Sequence, residues 1–310
     1  ALAEQAVAVV SDCMPNAGHT FYDGETKHVS KTIPAAAIMN DIPAFIGPGA
    51  VIKPQAFFEE IHKERNTVFI HPRTPILRDG DAAAEGELMR RVASTGQGCS
   101  GAVMRKIRRD KSGIASHSEV LRQWVCEDSD TWRALLYNEL ERGPVLVESG
   151  QGFDLSLDSM FFPHCTSRNI NVPAILDRIG GWWGVPVRII GVIRTYPIRV
   201  GHVYDSDGMR ILGHSGGHFS DQKEITWEQL GVDPEITTVT GRIRRVFDFS
   251  LVQMAGFVTA CRPDALVVNF ADYLSKSQFE GWVATIRTFG VSPTVYSDNP
   301  FNLADTGGRR

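Results

Sequence analysis

The stretch AVAVVSDCMPNAGHT, residues 6–20, decides how the rest of the chain is read. Its first five residues form a continuous small and β-branched run, the pattern of a strand buried on both faces of a sheet. The run then breaks into a proline, an amide, two very small residues, an imidazole and a hydroxyl. A buried strand that opens into a polar turn is how open α/β sheets bind ligands, just past the carboxyl ends of their strands. Gly18 permits close approach of a ligand or cation to the backbone. Asn16 and Thr20 supply hydrogen bonds, and His19 can donate to an oxygen or act as an acid near neutral pH. A turn whose histidine merely caps its neighbours is the plainer alternative.

Similar runs recur along the chain at TVFIH (67–71), PVLVE (144–148), VRIIGVI (187–193) and DALVVNF (264–270). Between them lie helical patterns at PQAFFEEIHKE (54–64), AAAEGELMRRVA (82–93), SDTWRALLYNELER (129–142) and SQFEGWVATIRTF (277–289). The last has Ser277 and Glu280 at capping-box spacing. This alternation predicts an α/β fold, a mainly parallel central sheet flanked by helices. No repeat or low-complexity linker divides the chain, so residues 1–310 are expected to form a single domain. The irregular region 199–222 reads as a long surface excursion.

A formal net charge of −4 over 310 residues gives no reason to expect a polyanion or an anionic membrane as partner. Neither nucleic acid nor a membrane is therefore expected. Five scattered cysteines without a CxxC pair read as free thiols in a reducing cytosol. With no long apolar span and no signal-peptide pattern, a cytoplasmic location is expected. His202, His214 and His218 match no zinc-ligand spacing.

Three further stretches carry chemistry. STGQGCSG (94–101), followed by MRKIRRD (104–110), combines hydroxyls and glycines whose N–H groups could surround phosphate with Arg105, Lys106, Arg108 and Arg109 as cationic partners. It is not a Walker A loop, and a flexible loop before a solvated helix is the alternative. VLVESGQG (145–152) runs from a strand into Gln151 between glycines and on to Thr166, Ser167 and Arg168, groups able to read a base edge and hold a phosphate, or an ordinary hairpin with polar turns. In TTVTGRIRR (237–245), alternation in an extended segment turns Arg242 and Arg244 to one side and Ile243 to the other. Two guanidinium forks match two carboxylates.

In this order the four stretches resemble adenylosuccinate synthetase, the family that joins aspartate to a purine nucleotide using a nucleoside triphosphate. SGGHFSDQKEITWEQLGVDPEITTVTGRIRRVFDFSLVQM (215–254) is most similar to its shortened phage branch, the 2-aminoadenylosuccinate synthetases, which act on dGMP on the way to diaminopurine DNA. The resemblance spans nearly the whole chain, with HVYDSDGMRIL (202–212) as an unmatched insertion. It implies a fold related to the P-loop NTPases and a ligase that phosphorylates purine O6 and lets the aspartate amine displace the phosphate at C6.

Site residues follow from the same resemblance. His19 would stabilise charge on O6 and the moving phosphoryl group, and the Gly18 carbonyl would contact Mg²⁺. Asn16, Ser94, Thr95, Gln151 and Thr166 would bind dGMP, with Arg109 reaching its phosphate across a homodimer interface. Thr240, Arg242 and Arg244 would bind L-aspartate. Asn269, Asp272 and Pro293 would surround the base of the triphosphate, ATP or dATP. Here NFAD (269–272) departs from the family's TKLD-like motif, Phe270 standing where a lysine is expected. The family's glycine-rich phosphate loop would precede Ala1, so the sequence is expected to begin inside a longer chain. An ordinary adenylosuccinate synthetase acting on IMP with GTP, and a non-catalytic nucleotide-binding dimer, are the alternatives.

Overall fold

A computed structural model describes residues 3–23, 25–61, 67–181, 184–299 and 302–305. The chain forms two compact units, Ala1–Trp183 and Gly184–Arg310. Each unit carries a four-stranded, mainly parallel sheet, the α/β architecture expected.

In the first unit the elements run β1 (Ala8–Ser11), β2 (His19–Asp23), β3 (Thr26–Ser30), α1 (Ala35–Asn40), β4 (Ala44–Ile46), α2 (Pro54–Glu60), β5 (Val68–Ile70), α3 (Asp81–Ala84), α4 (Gly86–Val92), α5 (Cys99–Ile107), α6 (Ser129–Arg142), β6 (Val145–Glu148) and α7 (Val172–Arg178). The sheet order is β5-β4-β1-β6, every pair parallel. Strand β1 is fully buried because both its faces are covered. Val9 packs with Ile46, Ile52, Phe57 and Ile70, while Ala8 and Val10 pack with Phe45, Trp132 and Leu136 on the other face. That two-sided burial is why the run reads as continuous rather than alternating.

Helix α6 occupies the expected residues. Asp128 accepts from the Thr131 N–H at its start, and Gly143 follows its end. The expected helix at 82–93 is split at Glu85 into α3 and α4. The helix expected at 54–64 ends at Glu60, and residues 62–64 lie outside those described. The hairpin given as the alternative for the stretch after Val145 is not formed. Glu148 leads instead into a loop with one turn of 3₁₀ helix at Phe153–Leu155.

The second unit contains β7 (Ile190–Arg194), β8 (Ile198–Arg199), β9 (Val203–Tyr204), β10 (Ile211–Gly213), β11 (Glu224–Ile225), α8 (Trp227–Leu230), β12 (Arg245–Phe247), α9 (Leu251–Cys261), β13 (Ala265–Asn269), α10 (Lys276–Arg287), β14 (Pro293–Asn299) and β15 (Asn302–Asp305). Its main sheet has the order β15-β14-β13-β7, with β7, β13 and β14 parallel and β15 antiparallel. Met254, Leu266 and Ile286 form the core between this sheet and its helices. A second, antiparallel sheet of order β11-β12-β8 backs the 237–245 segment. The insertion at 202–212 makes most of the small hairpin β9-β10, whose turn is held by Asp205.

The capping box of α10 is formed by Ser275 and Gln278, not by Ser277 and Glu280. No helix among the described residues is long and apolar enough to cross a membrane. The five cysteines are free, as read from their spacing.

Candidate functional site

The first unit assembles its polar residues at the carboxyl ends of β1 and β6. Those strands are in register, Ser11 opposite Glu148, so the turn after one lies beside the loop after the other. His19 opens β2 and stands between two side chains. Its Nδ1 is 2.9 Å from Glu148 Oε1, and its Nε2 is 3.2 Å from Cys13 Sγ. Glu148 is fixed in turn by α1, whose first two N–H groups donate to it: Ala35 at 3.0 Å and Ala36 at 3.2 Å. A carboxylate at a helix start accepts from donors with no partner inside the helix.

Burial works against the charged imidazole, but the Cys13 sulfur and the Glu148 carboxylate outweigh it and hold the His19 pKa well above its ordinary value. Burial likewise penalises the Glu148 anion, yet the His19 contact and the two α1 amides hold its pKa below the usual carboxylate range. Both shifts favour the imidazolium–carboxylate form of the pair. His19 is thus held by two side chains.

The same pocket joins the first and third sequence motifs. The Gln151 side-chain amide donates to Asn16 Oδ1 at 3.0 Å. Gln151 holds a left-handed backbone, φ 85°, a conformation that costs a non-glycine residue on the order of 1–3 kcal/mol and persists where its surroundings impose it. Gly150 lies against the imidazole, and a Cβ there would stand 3.2 Å from His19 Nε2. Thr166 is nearly buried, and its Oγ1 has no hydrogen-bond partner among the described residues.

Arg168 is a buried arginine, donating to the Asp12 carbonyl at 2.6 Å and lying 3.6 Å from Asp12 Oδ2, while its Nε and Nη2 have no hydrogen-bond partner among the described residues. Arg178 donates to the same carboxylate at 2.7 Å, so two guanidiniums share the fully buried Asp12.

The 94–98 loop differs from the expectation that its N–H groups are free for phosphate. Glu85 accepts from Gly98 N–H at 2.8 Å and Ser100 N–H at 3.1 Å, and Gly96 N–H donates to Ser94 Oγ at 3.3 Å. The loop is thus held in shape from within, with Ser94 and Thr95 half-buried. Of the four cations after it, Arg105 is bound to Asp81 and the Ile76 carbonyl, and Lys106 to the Pro48 carbonyl. Arg108 and Arg109 remain exposed at the end of α5, Arg109 with φ 63°.

Glu148 and Cys13, the two partners of His19, were not singled out from the sequence. A carboxylate ending an otherwise apolar strand is the signal that could have found the first. Together the three residues bring a thiol, an imidazole and a carboxylate within 4.8 Å of one another. Sulfur and nitrogen are poor donors for magnesium, which takes oxygen ligands. The backbone carbonyl of half-buried Gly18 is a donor of the right kind.

The second unit holds the remaining candidates in two loops. Thr237 closes the first: its N–H donates to the Arg242 carbonyl at 2.8 Å, and its Oγ1 accepts from Arg242 N–H at 2.9 Å and contacts Thr240 Oγ1 at 2.6 Å. Arg242 donates to Thr240 Oγ1 at 3.1 Å and the Gly201 carbonyl at 3.1 Å. Gly201 is needed there, because a Cβ would sit 2.2 Å from the Ile243 carbonyl oxygen. Arg244 lies 3.8 Å from Glu235. Arg242 and Arg244 are half-buried and Ile243 between them is exposed, as alternation requires.

The second loop follows β13. Asn269 ends the strand, Phe270 takes φ 62°, and Asp272 is exposed on the 3₁₀ turn Ala271–Tyr273. Pro293 is not brought to these residues. It is the buried first residue of β14, opposite Leu266, whereas Asn269 lies at the other end of the parallel pair. The homologous base contact expected at Pro293 is therefore misplaced along β14.

Residues 1–123 match the family model for adenylosuccinate synthetase. The chain is 35% identical over 300 residues to the N6-succino-2-amino-2'-deoxyadenylate synthase of Vibrio phage phiVC8, covering 92% of this chain and 82% of that protein. It is 26% identical to the adenylosuccinate synthetase of Thermococcus sibiricus over 85% of this chain and 75% of that one. Among solved structures it resembles the succinoaminodeoxyadenylate synthetase of cyanophage S-2L bound to dGMP and dATP as an energy donor, with a TM-score of 0.84, 27% identity, and coverage of 97% of this chain and 88% of that chain.

Proposed function

Since this chain belongs to the adenylosuccinate synthetase family, we propose that it is the dGMP-specific ligase of the phage branch. It joins L-aspartate to C6 of dGMP at the expense of ATP or dATP and releases 2-amino-N6-succino-deoxyadenylate. The γ-phosphoryl group passes to purine O6, making phosphate the leaving group. The aspartate amine then attacks C6, the C6–O6 bond breaks, and phosphate departs with the O6 oxygen.

The observation that carries this reading is the charged pair of His19 and Glu148 beside the Gln151–Asn16 bond. Nδ1 is held by Glu148 and Nε2 faces Cys13 Sγ at 3.2 Å, so in this reading a substrate oxygen takes the Nε2 N–H over from the sulfur. An imidazolium of raised pKa serves as a fixed cation against charge developing on O6 and the moving phosphoryl group. In this reading Asn16 and Gln151 read the base edge, and Ser94, Thr95 and Thr166 hold the sugar phosphate. Exposed Arg109 is available to a second copy in a homodimer. Thr240, Arg242 and Arg244 receive the two carboxylates of aspartate, and Asn269 and Asp272 face the triphosphate base.

Mg²⁺ fits the Gly18 carbonyl by its preference for oxygen and, when bound, neutralises phosphate charge. The test is incubation with dGMP, GMP or IMP, each with aspartate, Mg²⁺ and ATP, dATP or GTP, followed by mass detection of succinylated nucleotide. Product from dGMP with an adenine triphosphate is expected. Turnover of IMP alone, or of none, would overturn the assignment.

A further inference from the structure

One carboxylate in the second unit touches both of its candidate ligand loops. Glu235 pairs with Arg194 and lies 3.8 Å from Arg244 Nε; its backbone carbonyl also accepts from Arg244 N–H at 2.8 Å. On its other side Glu235 Oε1 accepts from the Tyr273 hydroxyl at 3.1 Å. Tyr273 belongs to the 3₁₀ turn that carries Asp272. Arg194 ends β7 opposite Asn269, and its guanidinium lies 3.7 Å over the centre of the Phe270 ring. The Phe270 carbonyl accepts from Thr195 Oγ1, which helps hold that residue in its left-handed backbone.

The charges in this cluster do not cancel. Two guanidiniums face one carboxylate, and the closer pairing is with Arg194. The uncompensated positive charge therefore resides on Arg244, on the loop assigned to aspartate. Where the family's base loop has a lysine, this chain has an aromatic ring with an arginine beneath it, and that arginine is held by the carboxylate that also orients Arg244. A base pressing on the Phe270 side would shift Arg194, and Arg194 cannot move without changing how strongly Glu235 draws on Arg244.

We infer that Glu235 is a positioning residue that couples the triphosphate-base loop to the aspartate loop, so that filling one changes the affinity at the other. The inference rests on the function proposed above. It gives Glu235, Arg194 and Tyr273 roles without requiring any of them to touch a reacting atom.

The test uses steady-state kinetics of dGMP succinylation, varying aspartate at several fixed ATP concentrations. In the wild-type protein the aspartate KM should change as ATP approaches saturation. Glu235→Gln keeps the acceptor for Tyr273 but removes the charge. With the anion that competes for Arg244 removed, the aspartate KM should fall, by up to about tenfold for one charge-assisted contact, and no longer depend on ATP, while kcat at saturation changes far less. Tyr273→Phe leaves the Arg244 contact in place and should weaken the coupling alone, which keeps the test decisive if the first variant folds poorly. An aspartate KM insensitive to ATP in the wild type, or coupling unchanged in both variants, would overturn the inference. Absence of any dGMP product from the wild type would instead count against the proposed function itself.

Discussion

Replacing Glu148 by glutamine tests the pair at the centre of the first unit. The carboxylate is only 16% exposed, and it accepts from His19 Nδ1 and from two helix amides at 2.9–3.2 Å. Glutamine preserves shape but turns one acceptor oxygen into a donor, so at least one of the three bonds is lost and the imidazolium loses its counter-charge. A hydrogen bond to a charged group contributes about 1.5–3 kcal/mol, and the partial exposure of both partners argues for the lower half, about 2 kcal/mol. The pH dependence of this loss follows from the two shifts. His19, its pKa raised on folding, contributes fully below the ordinary imidazole value and loses that contribution as pH rises through its folded value. Glu148, its pKa lowered, contributes fully above the ordinary carboxylate value and loses that contribution as pH falls through its folded value. The stability gap between wild type and variant should therefore be widest between about pH 4.3 and 6.5 and shrink on either side. Urea unfolding across pH measures the gap, and NMR of the His19 ring follows its titration, which should fall toward the ordinary value in the variant. Turnover should drop on the order of 10²-fold if the imidazolium stabilises the moving phosphoryl group. A variant with the same His19 titration and the same turnover would refute the reasoning.

Further expectations follow from single contacts. Gly201→Ala would drive a methyl into the Ile243 carbonyl at 2.2 Å, so the segment between Arg242 and Arg244 must shift; aspartate KM should rise with dGMP affinity unchanged, and equal damage to both would contradict the loop's role. Arg242→Ala should likewise weaken aspartate use far more than dGMP binding measured by calorimetry, and parallel losses would sink its assignment. Arg168→Met removes one of two cations from fully buried Asp12 and should cost about 2–3 kcal/mol in urea unfolding, somewhat less than breaking a buried pair outright because Arg178 remains. A loss below about 1 kcal/mol would mean that Arg168 is not a structural ion-pair partner.

Much of the fold was legible where the signal is local. Continuous apolar runs located β1, β5, β6, β7 and β13, and the helical pattern at 129–142 located α6. Short β4 and polar β14 were missed, since three residues or a run such as PTVYSDN carries little periodicity. The α10 capping box slipped by two residues because SKSQFE offers two overlapping serine-to-acceptor pairs at the same spacing, and only packing selects Ser275 with Gln278. The split at Glu85 was hidden because its cause is thirteen residues away, at the start of α5. At the candidate site the motifs were readable, but their partners were not. Glu148 reaches His19 across 129 residues of sequence, and the buried Asp12 that pairs with Arg168 lies 156 residues before it. The misplacement of Pro293 has the same origin, because register along β14 is set by pairing with β13.

The central claim is that O6 of dGMP is activated by phosphorylation before aspartate replaces it. It is tested most directly by turning over dGMP labelled with ¹⁸O at the six position and following the label by mass spectrometry. The label should appear in the released inorganic phosphate, with a succinylated nucleotide that has lost it. Product formed while the phosphate stays unlabelled, or label retained in the succinylated nucleotide, would contradict the account.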